Sequence, residues 1–143
     1  MSDQNLINLL QQTEDFFENH WNRETLGESP TWSNVFSDFV RMPNYLKAGV
    51  YAFIKNSEIT YIGVGASKGG GIYTDRGLSR RFQSYIKVDK LSKKLYIIDY
   101  RLKEADGVVT IGFDSQHAYL AYGLEAFLIS KINPIYNKIG RKK

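Results

Sequence analysis

Cysteine is absent from the 143-residue chain, which excludes a disulfide framework, cysteine-held zinc and thiol catalysis. Histidine occurs only at His20 and His117, far apart and at no metal-ligand spacing. No apolar run approaches the roughly 18 residues of a membrane span, and no basic-then-apolar leader pattern is present. The expectation is a soluble, cytoplasmic protein with no membrane partner. Nucleotide-loop signatures are also missing. The glycine-rich stretch GVGASKGGGIYTDRG contains no G-x-x-x-x-G-K-[ST], and its glycines do not fit a G-x-G-x-x-G opening a helix. No nucleophile elbow marks a Ser-His-Asp triad.

What is present is an ordinary globular composition, 43% hydrophobic and 24% charged, with ten tyrosines and eight phenylalanines. A chain of this length is one domain's worth and buries roughly two-thirds of its unfolded surface. The net charge of +4 is unevenly spread. Residues 1–67 hold 4 Lys/Arg against 8 Asp/Glu, and residues 68–143 hold 15 against 7. A basic C-terminal half suits a polyanion, because each neutralised phosphate releases condensed counterion. A solvated basic face is the plainer reading of the same charge.

Residues 3–21 carry Leu6, Leu10, Phe17 and Trp21 at helical spacing, with Leu9 and Phe16 beside them, and read as an amphipathic helix. A second helix is expected after Ser29-Pro30, with the stripe Trp32, Val35, Phe36, Phe39, Val40, stopped at Met42-Pro43-Asn44. GVYAFI and ITYIGV, separated by Lys55-Asn56-Ser57-Glu58, read as a β-hairpin. Gly77 to Lys87 reads as a helix bearing Leu78, Phe82, Tyr85 and Ile86. LYIIDYRL and VVTIGF flank Asp106-Gly107, a good hairpin turn. From Ser115, a plausible N-cap, a helix apolar almost all round runs to about Asn133, because Pro134 disfavours helix before it; it is expected to be largely buried. The fold class is α+β. Three core strands and a possible extra strand form a small antiparallel or mixed sheet flanked by helices. Residues 1–45 are read as a helical extension for packing, dimerisation or substrate selection, and residues 46–143 as the functional domain.

One polar set stands in unexpected places. Tyr51 and Tyr61 lie on the paired strands, and Arg81 has Tyr85 four residues on. Glu125 sits inside the most apolar helix, where an ionised carboxylate needs a partner. Asn137 follows Pro134. Singly, the tyrosines read as strand aromatics, Arg81 as a surface cation and Asn137 as a turn residue. In order they are more specific. Gly49-Val50-Tyr51, nine residues, Tyr61-Ile62-Gly63, then Arg81-Phe82-Gln83-Ser84-Tyr85, Leu124-Glu125-Ala126 and Pro134-Ile135-Tyr136-Asn137 resemble the GIY-YIG nuclease family over about residues 47–138. The literal Gly71-Ile72-Tyr73 is a decoy, because it follows the YIG element and lies in a loop.

The resemblance implies a three-stranded antiparallel sheet and metal-dependent hydrolysis of a phosphodiester, with DNA as partner and RNA left open. Carried over by position, Glu125 is the sole protein ligand of a Mg2+ or Mn2+ ion, which neutralises charge at phosphorus and the leaving oxygen. Arg81 holds the phosphate. Tyr51 orients or deprotonates the water, its pKa lowered from ~10 by Arg81 and the metal, with Tyr61 and Tyr85 in support. Gly49 and Gly63 support the site, and Asn137 ties down the end of the Glu-bearing helix. Lys68, Arg76, Arg80 and Lys87 are read as nucleic-acid contacts. Arg81 is preferred to its neighbour Arg80 because only Arg81 stands four residues before Tyr85. Ala66 to Asp75 reads as an insertion, a mobile lid or contact loop. Both tyrosines reach one site only if the register places them on one sheet face, which a three-residue or bulged loop with Tyr51 opposite Tyr61 achieves. Cutting both strands of a palindrome suggests a homodimer. The alternative is a family member that binds nucleic acid or a partner and cuts nothing.

Overall fold

The computed structural model describes residues 4–66 and 76–138. Along the chain run α1 (Gln4–His20), α2 (Arg23–Leu26), β1 (Ala48–Lys55), β2 (Glu58–Gly65), α3 (Gly77–Phe82), β3 (Ile86–Val88), β4 (Leu95–Ile97), α4 (Tyr100–Lys103), β5 (Gly107–Phe113), a 3-10 turn (Ser115–His117) and α5 (Ala118–Ile132). The central sheet has three strands in the order β2-β1-β5, antiparallel throughout. This is the expected α+β arrangement. The extra strand does not join it: β4 pairs with β3 in a separate two-stranded ribbon. Lys68, the glycine-rich insertion and Gly71-Ile72-Tyr73 lie outside the described residues.

β1 is buried from Ala48 to Ile54 without alternation, because both its faces are covered. On one face Val50, Ala52, Ile62, Val109 and Ile111 pack against Leu9, Phe16 and Phe17 of α1 and Leu124 and Leu128 of α5. On the other, Tyr51, Phe53 and Val108 pack against Leu78 and Phe82 of α3, Tyr85 and Leu102. The buried stripe of α1 is Leu9, Thr13, Phe16 and Phe17, while Leu10, expected on it, is exposed. α5 is one-sided: Tyr119 and Tyr122 face outward and only its inner stripe is buried. Ser115, the expected N-cap, opens the 3-10 turn instead, and the N-cap position of α5 is His117, which makes no side-chain cap bond.

Four expected features differ. The segment after Pro30 is extended, with Trp32 bridged to Ile111 and Phe36 to Val108. Its backbone bonds, Ser33 N–H to Thr110 O (2.8 Å) and Phe36 N–H to Val108 O (2.9 Å), cover the outer edge of β5. Helical spacing misled because Trp32 and Phe36, four apart, share a face in a strand as well as in a helix. The Asp106-Gly107 hairpin is absent. β5 runs beside β1, Gly107 is not at positive φ, and Asp106 N–H instead bonds Ile54 O (2.7 Å). In LYIIDYRL, Asp99 accepts from Arg101 N–H (2.9 Å) and starts the turn α4. The helix expected to Lys87 ends at Phe82, after which residues 83–85 turn and the chain enters β3.

Candidate active site

The β1–β2 hairpin decides whether the two motif tyrosines can meet. Its turn has two residues, Asn56 (φ 49) and Ser57 (φ 65), as a tight hairpin turn requires. Continued unbroken, that register would put Tyr51 and Tyr61 on opposite faces. An irregularity between Phe53 and Ile54 shifts the pairing, so that Ile54 faces Ile59 and Phe53 faces Tyr61. One extra residue in β2 restores the parity, since a one-residue slip exchanges the faces. Tyr51 is therefore opposite Gly63 and not opposite Tyr61. The tyrosines lie on one face as diagonal neighbours, their ring centroids 6.2 Å apart.

Gly63 is required by this packing: a Cβ there would run into the ring carbon and hydroxyl of Tyr51. Gly49, in the first triplet, would likewise drive a Cβ into the carbonyl of Ile111 on β5. The Tyr51 hydroxyl shares a 2.5 Å hydrogen bond with that of Tyr85, and both side chains are buried. Tyr85 reaches it from the turn after α3, its N–H bonded to Phe82 O (3.0 Å), and not from a helix shared with Arg81. Burial, reinforced by Tyr85, holds the Tyr51 hydroxyl well above 10, and the opposing pull of Arg81 is smaller. Burial also pushes Tyr85 up to about 12. Of the two groups expected to lower the Tyr51 pKa, Arg81 alone is outweighed by desolvation.

Arg81 lies over Tyr85, Cζ to ring centroid 5.1 Å, and donates to Ser84 Oγ (3.1 Å). A second arginine, which the sequence reading missed, faces the same aromatics. Arg101 Cζ is 4.4 Å from the Tyr61 ring centroid and 5.6 Å from that of Tyr85. Asp99 fixes it with a fork, Nη2 to Oδ2 2.7 Å and Nε to Oδ1 3.0 Å. That hydrogen bond holds the Asp99 carboxyl below the usual range and the guanidinium above its own. The signal was present as Asp-x-Arg at a helical turn, hidden in a run that reads as a strand.

Glu125 comes from α5, which packs on the opposite layer, and meets this group beside the edge strand β2. Tyr61, Arg101, Glu125, Tyr136, Asn137 and Lys138 are among the residues around a cavity of about 560 Å3. The Glu125 side chain makes no hydrogen bond and no ion pair with any described residue. Burial pushes its carboxyl up to about 7, against the opposing charge of Arg81. Asn137 bonds the strand between the motif tyrosine and glycine, accepting from Ile62 N–H (2.9 Å) and donating to Ile62 O (2.8 Å). With Tyr136 N–H to Thr60 O (2.9 Å), it covers the free edge of β2 and fixes the chain after α5 against it.

A part-buried carboxylate without a protein partner suits a hard cation, since burying a charge is repaid only by pairing. One carboxylate is enough for magnesium, which keeps several of its waters. Among the described residues no cluster of three or more His, Cys, Asp or Glu competes for a metal. Of the expected nucleic-acid contacts, Arg80 lines a cleft of about 330 Å3 with Arg81, Gly65 and Tyr122. Arg76 and Lys87 are exposed on the rim of α3 and on β3. Among the described residues no helix is long and apolar enough to cross a membrane.

No protein-family model matches the chain, and no curated protein matches it. Solved structures do. The chain is similar to the GIY-YIG N-terminal endonuclease domain of UvrC from Thermotoga maritima in three forms. The magnesium-bound domain is 26% identical, with a TM-score of 0.46, over 72% of this chain and 100% of that one. Two point mutants bound to the catalytic divalent cation give 26% and 24% identity and TM-scores of 0.48 and 0.46, over 72% of this chain and 99% of theirs.

Proposed function

We propose that the protein is a divalent-cation-dependent endonuclease that hydrolyses phosphodiester bonds of DNA. The observation that carries this reading is a part-buried carboxylate, Glu125, with no hydrogen bond or ion pair to a described residue, that shares a cavity with Tyr61 and Arg101 and feels the charge of Arg81.

In the proposed reaction a water oxygen bonds to phosphorus, one P–O ester bond breaks, and the departing sugar oxygen takes up a proton. Arg81 binds the non-bridging oxygens, whose negative charge grows on the way to the transition state. Arg101 adds a second positive charge and holds the face of Tyr61. Tyr61, which lines the cavity with Glu125, orients the attacking water in this reading. The buried Tyr51–Tyr85 pair is a positioning device that holds Arg81 and Tyr61 from beneath. Glu125, deprotonated, would hold Mg2+ or Mn2+. When bound, such an ion supplies charge neutralisation at phosphorus and acidifies a coordinated water.

The burial of Tyr51 and Tyr85 favours one other reading, a member that binds nucleic acid and leaves it intact. Conversion of supercoiled plasmid to the nicked form separates the two. The nuclease reading expects cutting with magnesium, none with EDTA, and none for Arg81→Ala. Binding without cutting under several divalent cations selects the other. A single site carrying one carboxylate cuts one strand per encounter, so double-strand breaks in one binding event would require two copies.

A further inference from the structure

The β3–β4 ribbon takes no part in the site, although Tyr85 stands at its root and Tyr85 O accepts from Ile98 N–H (2.8 Å). Its register is Ile86↔Ile97, Lys87↔Tyr96, Val88↔Leu95. Alternation puts Ile86, Val88, Leu95 and Ile97 on one face, and Ile86 and Ile97 pack on the core around Phe82 and Tyr85. Lys87 and the exposed Tyr96 are on the other face.

The tip is a well-built turn. Asp89 Oδ1 accepts from Leu91 N–H (3.2 Å) and its Oδ2 from Ser92 Oγ (2.8 Å). Asp89 N–H bonds Lys94 O (2.9 Å), and Lys93 N–H bonds Asp89 O (2.8 Å) with Lys93 at φ 61. That ordered turn holds Leu91 out with 95% of its surface in water. Lys87, Lys90, Lys93 and Lys94 lie within four residues of it along the ribbon, and none of them pairs with a carboxylate among the described residues. Four cations around a rigidly presented apolar tip, on a ribbon rooted at a site tyrosine, are complementary to a polyanion that also offers apolar base edges.

We infer that the β3–β4 ribbon is a DNA-binding arm. Lys90, Lys93 and Lys94 contact backbone phosphates, and Leu91 lies against base edges in the groove. This inference rests on the nuclease reading, which supplies duplex DNA as the partner. The dimensions agree. The major groove, about 12 Å wide, admits a two-stranded ribbon. Three residues of strand carry the tip about 10 Å from its root, which is on the order of three base pairs at the ~3.4 Å spacing along a strand. The arm thus adds affinity a few base pairs from the phosphate held at Arg81. Salt-sensitive binding by the lysines and apolar contact by Leu91 are separable.

The test is fluorescence anisotropy with a labelled duplex in EDTA over a series of salt concentrations. Wild type is compared with Lys90→Gln/Lys93→Asn/Lys94→Gln, in which asparagine suits the positive φ of residue 93. Each lost phosphate contact lowers the slope of log K against log salt by about 0.9. The expected result is a slope shallower by about 2 to 3 with an unchanged thermal midpoint. Leu91→Ala is expected to weaken binding several-fold at unchanged slope. Should the triple variant fail to fold, Lys90→Gln/Lys94→Gln carries the test, with a slope shallower by about 1.8. Wild-type slope and affinity in a folded variant overturn the arm while the nuclease reading stands. A wild type with no duplex affinity even at low salt overturns both. Loss of binding to phosphatidylserine vesicles with duplex affinity intact assigns the tip to a lipid surface and also overturns the proposal.

Discussion

Gly63 and Tyr51 face one another across the β1–β2 ladder, with no room between them for even a methyl group. The glycine of the second triplet is thus the floor on which the tyrosine of the first triplet rests. Gly63→Ala must displace the Tyr51 ring and break its 2.5 Å bond to Tyr85. Overpacking a core in this way costs about 1–3 kcal/mol, and urea denaturation is expected to show that loss. Nicking should fall further than stability does, because Tyr51 supports both Arg81 and Tyr61.

The Tyr51–Tyr85 pair makes its own prediction. Tyr51→Phe and Tyr85→Phe each leave a buried hydroxyl without its partner, at about 1–3 kcal/mol apiece. The double variant removes both groups, so its destabilisation should be smaller than the sum of the singles by about 1 kcal/mol. Additive losses would mean that the two hydroxyls are satisfied elsewhere.

Glu125 reports through pH. Its carboxyl is raised from 4.5 to about 7 by burial, so between those values the folded protein holds a proton that the unfolded chain releases. Stability then falls as pH rises from about 4.5 to 7 and stays low above it. At full weight the shift amounts to about 3 kcal/mol; discounted for partial exposure, Glu125→Gln should stabilise the protein at pH 8 by about 1–2 kcal/mol and have little effect at pH 4. Added magnesium should shrink the difference, because it stabilises only the wild type. Its apparent affinity for the wild type should fall about tenfold for each pH unit below 7. Calorimetric melts at the two pH values, with and without magnesium, read all three.

Arg101 keeps its charge but loses its fork to Asp99 in Arg101→Lys. Since Arg101 acts on Tyr61 through ring contact, kcat should fall roughly tenfold, equivalent to about 1.4 kcal/mol, with KM changed less. Asp99→Asn should give a weaker effect of the same kind. Equal losses in duplex affinity and rate would instead make Arg101 a plain phosphate contact.

The sequence-legible part of the site is the part written in motif order. Tyr51, Tyr61, Arg81, Tyr85, Glu125 and Asn137 stand out by residue type and by the order that resembles the family; Tyr61, Glu125 and Asn137 line one cavity, Arg81 lines a cleft, and Tyr51 and Tyr85 are buried. The hidden part depends on backbone detail. The extra residue in β2 that brings the tyrosines onto one face has no signature in ITYIGV. Tyr85 four residues after Arg81 suggested one helix face, but a turn delivers it. Arg101 was lost inside a run whose alternation reads as strand, although Asp99 two residues earlier is a helix-start signal. Residues 32–36 carry an i, i+4 aromatic pair that fits both periods, and the edge of β5, a tertiary demand, decides between them.

Single-turnover cleavage of an end-labelled duplex by wild type and Glu125→Gln in saturating magnesium, with duplex affinity measured alongside, tests the catalytic assignment most directly. The expected result is affinity within a few-fold of wild type and a cleavage rate lower by at least about 10³, roughly 4 kcal/mol of transition-state stabilisation. Cleavage by Glu125→Gln at a rate near that of the wild type would contradict the assignment and move the centre away from the β2 edge.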